Sequence, residues 1–105
     1  MKIKDVTRSR QNEVKMMKMY SPKKSSEIKI YESGPTRFIH EIGDGEQLLS
    51  ISCSGRSVIE KEWIPGIKEI MQLEIEDVEI NIRPSGVVII SEKDESIPKT
   101  ANNYH

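Results

Sequence analysis

One cysteine, Cys53, is all the chain carries. No disulfide can form within it, so the stapled scaffolds of small secreted domains are excluded. Aromatic residues are nearly as scarce: Tyr20, Tyr31, Phe38, Trp63 and Tyr104 make up 5% of the sequence. Hydrophobic residues reach only 35%, below the roughly 45–50% usual for globular chains when glycine is counted with them. A core is expected, but a thin one, which favours frayed ends or further burial through self-association. No stretch approaches the ~18 apolar residues of a membrane span. Residues 1–20 also lack the apolar run of about 7–15 residues that marks a signal peptide. The expectation is a cytoplasmic chain with no membrane contact.

What is present is charge, at 31% of residues, with a net value of only −1. The distribution is uneven. Residues 1–29 hold nine basic and three acidic side chains, giving +6, while residues 30–105 hold seven basic and fourteen acidic, giving −7. The 105 residues suit one domain. Pattern divides them into a basic N-terminal arm and linker over 1–26, an antiparallel β domain over 27–91, and a flexible polar tail over 92–105.

Within the arm, Val14, Met17 and Tyr20 recur at helical spacing, with Thr7 or Ser9 placed to cap a short helix. Ser21-Pro22-Lys23-Lys24-Ser25-Ser26 then reads as a linker. From Glu27 the pattern turns to alternation. Ile28 and Ile30 lead to Gly34-Pro35, and Thr36–Ile42 leads to Asp44-Gly45, a strong two-residue hairpin signal. Counting out from that turn opposes Ile42 to Gln47, His40 to Leu49, Phe38 to Ile51 and Thr36 to Cys53, which gathers Phe38, Leu49, Ile51 and Cys53 on one face. A three-residue turn at Ser54-Gly55-Arg56 would carry the ladder on, with Ile51 facing Ile59 and the same face reaching Trp63.

Pro65 suits the start of a helix over 66–72, although Leu73 and Ile75 also fit a strand. Val78, Ile80 and Ile82 alternate with Glu79, Asn81 and Arg83. Pro84-Ser85-Gly86 then closes a hairpin that opposes Ile82 to Val88 and Ile80 to Ile90. The fold class expected is mainly β, with α+β as the alternative. The form is a small antiparallel, hairpin-built sheet of five or six strands, as a curled half-barrel or sandwich, with the basic arm or a short helix at its N-terminus. Edge strands would need covering, by the arm or by a second subunit.

Catalytic and metal chemistry find no constellation. His40 and Cys53 share a face, but the register separates them by about 13 Å, far beyond the ~3 Å reach of a nucleophile and its base. Neither residue, nor His105, falls at zinc-ligand spacing. The glycines show no phosphate-loop spacing. No catalytic residue, cofactor or metal is therefore expected.

Charge supplies the remaining candidates. Arg8, Arg10, Lys15, Lys18, Lys23 and Lys24 could contact phosphates or an acidic partner. Glu74, Glu76, Asp77 and Glu79 could contact a basic partner or the protein's own arm. The function expected is that of a non-enzymatic small binding protein acting through protein–protein interaction or self-assembly as a homo-oligomer. The alternatives are a nucleic-acid-binding accessory protein that uses the arm, and a small-ligand or nucleotide-binding module.

Overall fold

The computed structural model describes residues 2–21, 27–53 and 61–93. Within these residues six strands form one antiparallel sheet in the order β1-β2-β3-β4-β6-β5. They are β1 (Lys4–Asp5), β2 (Glu27–Ser33), β3 (Thr36–Gly43), β4 (Glu46–Cys53), β5 (Val78–Ile82) and β6 (Val88–Glu92). Among the described residues two α-helices accompany the sheet, α1 (Gln11–Tyr20) and α2 (Ile64–Met71). The mainly β, hairpin-built class read from the sequence is the one formed. The strands make one open sheet that does not close on itself, so of the two forms expected the two-sheet sandwich is not the one formed.

The β3–β4 register is the one counted out from Asp44-Gly45: Phe38 opposes Ile51, His40 opposes Leu49, and Thr36 opposes Cys53. Both turn residues have positive φ, 54° at Asp44 and 75° at Gly45, as a type I′ turn demands. The β5–β6 hairpin also follows its turn. Gly86 has φ 94°, and Ile82 opposes Val88 and Ile80 opposes Ile90.

Beyond β4 the expected ladder is corrected. The turn at 54–56 and Ile59 lie outside the described residues, but Ile51 faces Val88 of β6. Lys61–Trp63 is a 3-10 turn that runs into α2. Pro65 sits in the first turn of that helix, where its fixed φ helps and its missing N–H costs nothing. Gln72 ends α2 in the left-handed conformation, donating its N–H to the Lys68 carbonyl. Residues 75–77 form another 3-10 turn, so Ile75 packs against the core from that turn, and Leu73 from the connection before it, rather than from a strand.

Alternation gives the sheet two unlike faces. One carries Phe38, Leu49, Ile51, Val88 and Ile90, which form a buried cluster with Trp63, Ile67, Ile70 and Met71 from the α2 side. His40 is buried at the margin of this face. Its Nε2 lies 2.8 Å from Gln47 Oε1, while Gln47 Nε2 donates to the Met71 carbonyl at 3.1 Å. Because the Gln47 amide nitrogen is committed to Met71, its oxygen accepts, which puts the imidazole proton on Nε2. That bridge ties the C-terminal end of α2 to β3 and β4. Cys53 is half-buried against the same cluster.

The opposite face buries Ile28 and Ile30. Here α1 lies against β2, held by four alternating charges. Arg37 contacts Glu13 at 2.7 Å and Glu32 at 3.4 Å, while Arg10 contacts Glu13 at 3.5 Å and Glu32 at 3.3 Å. Each such exposed pair contributes at most ~1 kcal/mol, so the ring orients the helix more than it stabilises the sheet. Val14 and Met17 turn inward as expected, but Tyr20 is 76% exposed.

Residues 1–26 are therefore not wholly outside the sheet, since β1 is its first strand. Thr7 does not cap a helix with its side chain. Its hydroxyl instead accepts the Ile30 N–H at 3.0 Å and donates to Asp5 Oδ1 at 2.6 Å, while the Thr7 N–H also donates to Asp5 at 2.9 Å. Ser9 likewise bonds back to the Val6 carbonyl rather than capping α1. Local side-chain bonds thus fasten β1 to β2 where backbone pairing ends.

Two predictions arise. The Trp63 Nε1 is buried without a hydrogen-bond partner among the described residues, a state that costs about 1–3 kcal/mol. Trp63→Phe should then change the unfolding free energy by less than about 1 kcal/mol, and Trp63→Ala should lower it by about 3–5 kcal/mol. Equal losses for the two variants in urea titrations would contradict this.

The Thr7 hydroxyl, then the Thr7 N–H, hold the Asp5 carboxyl below its ordinary value of 3.8. A depressed carboxylate stabilises the fold above its unfolded pKa, and the contribution fades as pH falls through the folded value. Asp5→Ala should melt below the parent at pH 7, with the gap closing as pH drops below 3.8. A gap independent of pH in thermal melts would rule out the carboxylate as its source.

Candidate functional site

The charged candidates do not converge. Arg8, Lys15 and Lys18 are exposed on the N-terminal segment, whereas Arg10 is engaged by Glu13 and Glu32. Lys23 and Lys24 lie outside the described residues. Among the acidic candidates, Glu74 meets Lys68 at 3.1 Å. Glu76 and Asp77 belong to the 3-10 turn before β5, and Glu79 stands on β5 itself. α1 packs on β2, and β2 lies four strand positions from β5. At the usual spacing of strands that is about 19 Å, so the acidic cluster does not receive α1 of its own chain.

His40 and Cys53 keep the separated pairings expected for them. Among the described residues, no group of three His, Cys, Asp or Glu side chains is placed to hold a metal ion. No helix among them is long and apolar enough to cross a membrane.

The feature that stands out is the outer edge of β5. Among the described residues the sheet ends there and at β1, and the two edges differ. β1 offers two residues, one of them a lysine, which is how natural sheets blunt an edge. β5 runs for five residues without lysine, proline or a bulge. Val78, Ile80 and Ile82 share the core-facing side, yet only Val78 is buried; Ile80 is 44% and Ile82 49% exposed. They reach beyond the patch that α2 covers.

Backbone phase completes the site. Arg83 donates its N–H to Val87, and Asp77 accepts from the Lys93 N–H. The odd-numbered residues of this hairpin therefore spend their backbone groups on β6. In an antiparallel ladder the alternate residues point the other way, so Val78, Ile80 and Ile82 aim N–H and C=O outward. Behind them, on the second face, Glu79, Asn81, Arg83, Ile89 and Ser91 line a shallow depression.

In the sequence, the alternation of Ile80 and Ile82 with Glu79, Asn81 and Arg83 does not distinguish a covered strand from an exposed one. The signal that could have singled them out is position: the strand that opens the last hairpin becomes an edge when its partner pairs inward. No family model matches the chain, and no curated protein or solved structure does either.

Exposed isoleucines on an edge should matter little to folding. Ile80→Thr and Ile82→Thr are each expected to lower the unfolding free energy by less than about 1 kcal/mol, against about 2–5 kcal/mol for Ile90→Ala. Chemical denaturation of the three variants measures this. A core-sized loss at position 80 or 82 would show that both are structural.

Proposed function

We propose that the protein is a non-enzymatic binding module that takes up an extended segment of another polypeptide along β5, as an added strand. The open, unblunted edge carries this reading. It presents three residues' worth of backbone donors and acceptors, which supply affinity without regard to sequence, flanked by side chains that supply selectivity. On one side an incoming strand would cover Ile80 and Ile82. On the other its alternate side chains would meet Glu79, Asn81 and Arg83. The acidic residues expected to greet a basic partner are here redistributed around that edge, with Asp77 and Glu79 at its start and Arg83 at its end. The lone, half-buried Cys53 suits a reducing, cytoplasmic setting.

A photo-crosslinking side chain placed at Ile82 in the full chain, in cells that produce it, tests the reading. Adducts to polypeptide are expected there, are expected to disappear when Ile80→Lys is added, and should not form from the same group at Met19 on α1. Absence of adducts at 82, or adducts indifferent to Ile80→Lys, would overturn it. Nucleic-acid adducts formed from Met19 would instead favour the exposed cations of the N-terminal segment.

A further inference from the structure

We infer that the strand accepted by β5 is β5 of a second copy, paired antiparallel about a two-fold axis through Ile80. This rests on the strand-addition reading and names its partner.

Backbone phase selects the register. The outward groups belong to Val78, Ile80 and Ile82. Pairing Ile80 with its own copy opposes Val78 to Ile82 of the second chain, so every outward N–H and C=O between 78 and 82 meets a partner. Moving the axis to residue 81 would oppose Val78 to Pro84, which has no N–H to give. Moving it to residue 79 would oppose Ile82 to Glu76, inside the 3-10 turn. Only the axis at Ile80 uses the whole strand.

Side chains agree with that register on both faces. The core-facing side brings Ile80 against Ile80 and Val78 against Ile82, closing the exposed apolar strip in cross-strand contacts. On the other side Asp77 opposes Arg83, and Glu79 opposes Asn81. The strand is acidic where it begins and basic just past its end, so antiparallel self-pairing matches opposite charges, while a parallel arrangement would set like against like. Neither the Arg83 guanidinium nor the Asp77 carboxylate has an ion-pair partner among the described residues, so both are available.

The contact is isologous and therefore closed at two copies. A second round through β1 has only two residues to offer. Five residues a side bury well under the roughly 1,200 Å² of a standard interface, the size class of weak, transient contacts, so dissociation is to be sought over a range on the order of tens to hundreds of micromolar.

Sedimentation and amide exchange of the full chain, from ~10 μM to ~1 mM, span that range. The expected species are monomer and dimer only. Protection at Val78, Ile80 and Ile82 should rise with concentration, while Glu79 and Asn81, already bonded to β6, should not change. Arg83→Asp places acid opposite Asp77 and should weaken the dimer at least about tenfold. Combining it with Asp77→Arg should restore most of that loss.

Unchanged exchange at Ile90 verifies that each variant is folded. Arg83→Gln provides a milder version, with a smaller loss expected. A monomer at ~1 mM, protection mapping elsewhere, or a dimer indifferent to Arg83→Asp would each overturn the inference. Adducts from Ile82 to a different polypeptide alone, with the chain monomeric, would leave strand addition standing and end self-pairing. Loss of both results would end both.

Discussion

Two consecutive left-handed residues, Asp44 and Gly45, set the register on which the rest of the sheet depends. In a strand the side chain alternates with a period of two, so a slip of one residue at this turn would put Phe38 on the opposite side from Leu49 and Ile51. Held in place, they form the floor on which Trp63, Ile67, Ile70 and Met71 settle. The same register brings Gln47 beside His40, and through it to the end of α2. One tight turn thereby fixes a hydrophobic cluster and the polar tie at its border.

The covers on the two faces are offset. α2 packs over the interior of one face and α1 over the β2 end of the other. Each compensates for a chain poor in large apolar residues by concentrating burial where three elements meet. What offset covering leaves over is the far side of β5. There the strand is paired along only one edge, and its isoleucines extend past the reach of either helix.

Much of this was legible in the sequence because turn chemistry is local. Asp44-Gly45 and Pro84-Ser85-Gly86 encode their loops within three residues, and both registers follow by counting. Pro65 suited the start of α2, although the residues after it also fitted a strand. The parts that were not legible depend on partners distant along the chain. Nothing near Ser54 says that Ile51 faces Val88 rather than Ile59, since strand order is settled by which hairpin docks best. Thr7 resembled a helix cap because its bond to Ile30 joins residues 23 positions apart. Ile80 and Ile82 carried the same alternation as true core residues, and only strand order reveals that no neighbour follows. The basic segment looked detached because Glu13, an acid in a basic stretch, meets Arg37, a base in an acidic one.

Gly86 has an effect beyond closing its hairpin. Its left-handed conformation sets the loop at three residues, which makes Arg83 and Val87 the first bonded pair. From there bonding alternates down the strand, so the loop acts as a phase selector. It assigns the even positions to the outside world and the odd ones to the neighbouring strand. Without it, the same string of side chains would show its surroundings the backbone of Glu79 and Asn81. The character of that border is thus written four residues beyond the strand that forms it.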